Sequence, residues 1–306
     1  MKEIKIAILD FWPNDGHFQL CNNVFINTIS DVYYVKIDKE NPDIIFYSLF
    51  GIEHRKEQYK HVPKVLFNGE SYGSDFGNPD YVIDMERSAY ELSIEQFCTS
   101  AEKEKHCYMP LWLYDRDFPI LYDKSRSILM EEKHLNNDNI LNTKTGFCSF
   151  VASTEVLFRD NFCGFVSKNY KTVDCPGKVL HNTSIELSKG FIAKHNFLKE
   201  RKFNLCFENR MKAGYCTEKI VDAFAAHTIP IYLGDPYIEN VFNKDSFINA
   251  GKCNKFSEVL EQIQEIDNND ELYMKMINTP ALVDPTYPEK NLEKMKDFIL
   301  NIVYNL

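Results

Sequence analysis

The chain has 306 residues, 44% hydrophobic and 26% charged, the balance of a folded globular protein with room for two medium domains. Acidic residues outnumber basic ones 45 to 35, a formal charge of −10, which argues against nucleic acid as a partner because a polyanion asks for a basic surface. No run approaches the roughly 18 apolar residues needed to span a membrane. In chain order, the first element is IKIAIL (4–9), where Ile4, Ile6 and Ile8 alternate with charged or small residues, a strand rather than the core of a secretory signal. Strand-length apolar runs follow at DIIFYSLF (43–50), KVLFNGE (64–70), DYVID (80–84) and CYMPLWL (107–113). EEKHLNNDNILNTK (131–144) is polar and Asn-rich and reads as a loop or linker. Beyond it come GFCSFVAS (146–153), KTVDC (171–175), FNLCFEN (203–209), IPIYLGD (229–235) and SFINA (246–250), with helices expected over 159–167, 186–201, 217–227 and 255–266.

Apolar strands alternating with helices argue for parallel sheets in an α/β protein, here in two sets of five strands. The C-terminal stretch places Leu292, Met295, Ile299, Ile302, Val303 and Leu306 at helical spacing. Packing on the body of the protein is preferred to peripheral membrane contact, since the polar face carries only two lysines, Lys294 and Lys296. Nine cysteines form no CxxC pair and several lie in apolar strands, a pattern of buried thiols in a reducing, cytoplasmic setting. Asn182-Thr183-Ser184 fits the glycosylation sequon but carries little weight without a secretory signal. None of the eight histidines forms an HxH or HxxxH pair, and the carboxylate pairs Asp115/Asp117 and Asp267/Asp270 fall in peripheral segments, so no metal site is expected.

The chemistry is expected where strands feed helices in an α/β fold. In FNLCFENRMKAGYCTEKIVDAF the strand leads through a glycine-bearing loop to a helix with Thr217 as cap, Glu218 and Lys219 in the first turn, and Ile220, Val221 and Phe224 as its buried stripe. A cation at a helix start is mildly repelled by the macrodipole unless an anion lies between them. Lys219 therefore invites an anion, although a lone surface lysine is also often just solvated. The loop is neither a Walker loop nor a GxGxxG fingerprint.

Residues 203–236, FNLCFENRMKAGYCTEKIVDAFAAHTIPIYLGDP, closely resemble the signature region of the α-1,3-fucosyltransferase family. Three further blocks resemble the same family in the same order: FNGE (67–70), FCSFVAS with Arg159 (147–159), and YKTVDCPGKVLHN (170–182). The resemblance implies a GT-B architecture, two Rossmann-like domains facing across a cleft. Residues 1–142 would bind acceptor and 143–289 GDP-fucose, with helix 290–306 packing back on the first domain. It implies transfer of L-fucose from GDP-fucose, with inversion, to a GlcNAc or Glc hydroxyl of a lactosamine-type or lipopolysaccharide glycan, without a required cofactor or metal. The alternatives are another nucleotide-sugar donor, or a non-catalytic nucleotide-sugar-binding protein. Monomer and homodimer stay equally open.

The resemblance also implies roles. Glu70 aligns with the family's general base, where the bland reading is an exposed carboxylate at a strand end. Arg159 and Lys219 match its phosphate-binding cations; Arg159, early in its own helix, is likewise an awkward place for a cation without an anion near. Thr217 adds the helix N-terminus, and Glu218 would accept hydroxyl hydrogen bonds from the donor. Asn209 and Tyr215 look like nucleotide-sugar contacts, although a turn-forming Asn and a packed Tyr explain them equally well, and Lys178 in DCPGK is a further candidate. Trp12 and Tyr72 are candidate stacking platforms for the acceptor, or core aromatics. Leu233 where many members have an aromatic, and Cys216 for a common valine, depart from the family pattern without touching these positions.

Overall fold

The computed structural model describes residues 1–11, 24–70, 78–85, 104–113, 137–187 and 191–306. Trp12, Tyr72 and the Asp115/Asp117 pair lie outside these residues. The chain divides into two compact units, Met1–Tyr114 joined by Pro288–Leu306, and Asp115–Tyr287.

The first unit is a parallel sheet of β1 (Glu3–Leu9), β2 (Tyr34–Ile37), β3 (Ile44–Tyr47), β4 (Lys64–Asn68), β5 (Tyr81–Asp84) and β6 (His106–Tyr108), in the order β2-β1-β3-β4-β5-β6. All four residues of β3 are buried, as both-sided coverage of a parallel sheet requires. Register places Leu9, Tyr47 and Leu66 side by side, and with Ala7, Ile45 and Tyr59 they form the core of one face. On the other face helix α1 (Val24–Ser30) lays Phe25 on Phe46, ring centroids 4.6 Å apart and 11° from parallel. Neither β2 nor α1 stands out in the sequence; β2 is an edge strand with Tyr34 63% exposed, so its residues carry no apolar run. The run CYMPLWL is not one strand: β6 ends at Tyr108, and beyond Pro110, which cannot donate to a ladder, Leu111–Leu113 forms a 3₁₀ turn that buries Trp112.

In the second unit α2 (Asn137–Thr143) precedes β7 (Gly146–Ser149), α3 (Leu157–Asn169), β8 (Val173–Asp174), α4 (Phe191–Leu198), β9 (Arg201–Phe207), α5 (Glu218–Ala225), β10 (Ile229–Leu233), β11 (Ile248–Asn249), α6 (Phe256–Asp267) and α7 (Asp270–Asn278). The sheet order is β11-β10-β9-β7-β8, again all parallel. Helix α2 lies in the polar stretch expected to be a loop, because Ile140 and Leu141 find the second unit's core. Asp267 is structural: it accepts from Tyr170 Oη at 2.8 Å and pairs with Lys171 and Lys202 at 2.5 and 3.2 Å.

Helix α8 (Tyr287–Tyr304) buries Met295, Ile299, Ile302 and Val303, while Leu306 lies beyond it and 49% exposed. It is tied within the first unit by Lys296 Nζ to Asp31 at 2.6 Å and by Phe298 edge-on to Tyr81. Among the described residues no helix is long and apolar enough to cross a membrane.

Phe162 of α3 is fully buried, stacked on Phe207 of β9 at 4.9 Å and edge-on to Phe256 at 5.0 Å. Phe162→Ala is expected to destabilise the protein by about 3–5 kcal/mol, read as a lower urea midpoint; a loss under about 1 kcal/mol would mean that the site collapses around the missing ring.

Candidate functional site

The carboxyl ends of β7 and β9 in the second unit carry the charged residues singled out in the sequence. β9 delivers Glu208 and Asn209 immediately past its last residue, Phe207. The chain then turns through Gly214, whose φ of 84° a side chain would resist, to Thr217 and the start of α5.

Glu208 has no exposed surface. Its Oε1 accepts the backbone N–H of Thr217 at 2.8 Å, and its carboxylate accepts the Thr217 hydroxyl at 2.8–2.9 Å. Lys219 Nζ donates to Glu208 Oε2 at 2.9 Å and to Thr217 Oγ1 at 2.7 Å, closing a ring of three side chains. The anion that Lys219 invites is thus first of all the protein's own. Burial pulls the Lys219 pKa down, but attraction by Glu208 and Glu218 outweighs it, so the ammonium is held more firmly than in water. The ring needs Gly234: a Cβ there would stand 2.6 Å from Glu208 Cγ and 2.4 Å from Tyr232 Oη.

The charges continue along α5. Glu218 Oε1 lies 3.7 Å from Lys219 Nζ and 3.9 Å from Lys194 Nζ of α4, and Lys194 in turn bonds Asp222 at 2.5 Å. Burial raises the Glu218 pKa, yet Lys219 and Lys194 prevail and bring it to about 2. Lys194 is likewise held charged, Asp222 and Glu218 outweighing its desolvation.

Arg159, in the first turn of α3, is 3% exposed. It donates through Nη1 to Asn209 Oδ1 at 2.6 Å and through Nη2 to the Thr154 carbonyl, and its guanidinium lies over the Phe150 ring. Burial lowers its pKa despite Asp160 and Glu208 nearby. Its Nε is buried without a hydrogen-bond partner among the described residues. The structure therefore brings Arg159 and Asn209 into one contact, and Thr217, Glu218 and Lys219 into another. Tyr215 is buried, its carbonyl accepting from Tyr232 Oη at 3.4 Å. Lys178 is exposed, on a loop that Gly177 lets approach the Ala152 backbone; a Cβ at Gly177 would stand 2.5 Å from the Ala152 oxygen. Asn182 clamps that loop, accepting from Cys175 N–H at 2.7 Å and donating to the Val173 carbonyl at 2.8 Å.

In the first unit Glu70 lies two residues past β4, half-buried, its N–H donated to Asn68 Oδ1 at 2.9 Å. Asn68 pairs in register with Asp84, which holds His106 Nε2 at 2.8 Å.

Glu208, Lys194 and Asp222 are absent from the sequence expectations. Only Glu208 had a signal, a charge inside the otherwise apolar run FNLCFEN. The thiols nearby are not nucleophiles: burial pushes Cys206 up to about 12 and raises Cys216 well above the ordinary thiol range. Among the described residues no group of three or more His, Cys, Asp or Glu side chains is arranged to hold a metal.

Two family profiles match the chain, "Glycosyltransferase family 10 (fucosyltransferase) C-term" over residues 143–281 and "Alpha-(1,3)-fucosyltransferase FucT N-terminal domain" over 6–97. The chain is 30% identical over 293 residues to the alpha-(1,3)-fucosyltransferase FucT of Helicobacter pylori, a match that takes in 90% of this chain but only 59% of that protein's length. A solved structure of an alpha1,3-fucosyltransferase superposes at TM-score 0.75 with 25% identity, covering 97% of this chain and 90% of the other. A structure of alpha1,3-fucosyltransferase with GDP superposes at 0.72, with the same identity and coverage.

A carboxyl whose folded pKa is depressed adds stability above its unfolded value and loses it as pH falls toward the folded one. From about pH 4.5 down to about 2 the melting temperature of the wild type should fall more steeply than that of Glu218→Gln. Circular-dichroism melts at stepped pH read the difference; parallel curves would mean that the two lysines do not hold Glu218.

Proposed function

The chain belongs to glycosyltransferase family 10, the fucosyltransferases, and from that membership we propose that it moves L-fucose from GDP-fucose to a hydroxyl of an oligosaccharide acceptor, with inversion at the fucosyl carbon. The observation that carries this reading is the fixed cation Lys219 beside a helix N-terminus, with Arg159 set against Asn209 past the same strand. Ligands in open α/β sheets bind beyond the carboxyl ends of the strands, and N–H groups at a helix start suit a phosphate. The likeness to a structure with GDP supports the same donor class.

Inversion is a single in-line displacement through an oxocarbenium-like transition state. The acceptor oxygen forms its bond to C1 as the bond from C1 to the diphosphate oxygen breaks. The hydroxyl proton passes to a base, and the electron pair leaves on the diphosphate. We assign the base to Glu70. The charge that builds on the diphosphate is assigned to the N–H groups at the start of α5, the remaining N–H of Lys219, and Arg159 with Asn209, fixed donors that need no reorganisation during the reaction. Thr217 holds Lys219 in place, while Glu218, Tyr215 and Lys178 are assigned to the donor's sugar and nucleoside. No metal enters this scheme. The acceptor is assigned to a lactosamine-type or lipopolysaccharide glycan, and the six buried thiols among the described cysteines fit a reducing cytoplasmic setting.

The test compares donors. GDP-fucose should raise the melting temperature, GDP-mannose and UDP-galactose less, and a chelator should change neither binding nor turnover. Glu70→Gln should lower kcat by about 10²–10⁴-fold with donor affinity retained, whereas Arg159→Ala should weaken donor binding. Wild-type turnover in Glu70→Gln would remove the base assignment, and equal response to all three nucleotide sugars would remove the donor.

A further inference from the structure

A lysine that binds phosphate as a net positive charge has no use for a buried carboxylate bonded to it, yet Glu208 sits 2.9 Å from Lys219 Nζ with no exposed surface. The surroundings deepen the puzzle. At the start of α5 two lysines, Lys194 and Lys219, face three carboxylates, Glu208, Glu218 and Asp222. Arg159 is in turn accompanied by Asp160, with Nε 3.8 Å from Oδ1. These three cations and four carboxylates do not among themselves sum to a positive charge.

We propose that Glu208 is a positioning residue that neutralises and aims Lys219, so that Lys219 offers the diphosphate an oriented N–H rather than a net charge, and so that the free nucleoside diphosphate is not held too tightly after transfer. The inference rests on the GDP-sugar reading above. Two of the three ammonium hydrogens are used, one on Glu208 and one on Thr217, which leaves one direction for a ligand. Glu208 cannot swing away, because Thr217 N–H holds it from one side and the space of a Cβ at Gly234 is filled by its Cγ on the other.

The electrostatic consequence separates substrate from product. In a nucleotide sugar the terminal phosphate is esterified and carries about one charge, whereas in the product it is a monoester with about −1.5 to −2 at neutral pH. A fixed carboxylate behind the lysine therefore disfavours the product more than the donor. Product release limits turnover in many well-evolved enzymes, so a device that loosens the product has a clear use.

Glu208→Gln keeps an oxygen for Thr217 and removes the charge. GDP should then bind about tenfold more tightly by calorimetry. The KM for GDP-fucose should change less than about threefold and kcat should fall, a split that a purely structural role would not give. A structural role predicts instead weaker GDP binding alongside a lower melting temperature; weaker or unchanged GDP affinity in the folded variant overturns the inference. A measurement on the wild type guards against a variant that does not fold. Between about 50 and about 500 mM salt, GDP affinity should change less than about threefold, because a neutralised site is little screened. A steep loss marks Lys219 as a net cation and overturns the proposal even though the nucleotide site stands. If GDP and GDP-fucose both fail to bind the wild type, it is the donor reading that falls.

Discussion

A carboxylate with no exposed surface, set at the end of a strand in a parallel sheet, must find its hydrogen bonds inside the protein or remain uncharged. Glu208 finds them in Thr217 and Lys219, and the geometry of this corner follows from that requirement. Desolvating an ion pair costs several kcal/mol per ion, and its attraction repays this only when the remaining donors and acceptors are also satisfied. The closed ring of carboxylate, hydroxyl and ammonium meets that condition. It also fixes how α5 enters: the chain from Phe207 to Thr217 is pinned at both ends, and Cys206 Sγ lies 3.2 Å from the Lys219 carbonyl on the strand side.

Charge alternates along this corner from Glu208 through Lys219, Glu218 and Lys194 to Asp222. Each member lies against an opposite sign: Lys219 and Lys194 are driven above their ordinary pKa and Glu218 below its own, while burial outweighs Lys194 at Asp222 and raises its carboxyl to about 6. Such a site is built for orientation. Arg159 follows the same logic by other means, its Nη1 and Nη2 engaged by Asn209 and the Thr154 carbonyl and its plane set over Phe150. Preorganised donors of this kind stabilise charge that develops in a transition state, because they need not move to meet it.

Much of this was legible before any coordinates. The ten apolar runs all contain strands, and the central ones are buried on both faces of a parallel sheet and so must be written in apolar residues. β2 escaped because an edge strand such as YVKI need not be apolar, and α2 escaped because only Ile140 and Leu141 of a polar stretch turn inward. In the site, Lys219 and Arg159 could be suspected from their position at helix starts, a local property. Glu208 could not be assigned from the sequence, because its partner lies 11 residues on and across a loop whose path only the fold supplies. Lys194 and Asp222 meet across 28 residues, and Asp84 and His106 across 22. Pairs of this kind have no periodicity to betray them.

Glu208 in the second unit and Glu70 in the first both lie just past the end of a parallel strand. Glu208 is gripped through its side chain, which accepts from the Thr217 hydroxyl and from the Lys219 ammonium. Asn68 Oδ1 accepts the backbone N–H of Glu70, a contact that orients the chain as it leaves β4. The hold on Asn68 extends across the sheet: Asn68 and Asp84 are neighbours in register, and Asp84 is fixed in turn by His106. The backbone at Glu70 is thus tied through Asn68 to the neighbouring strands of the sheet.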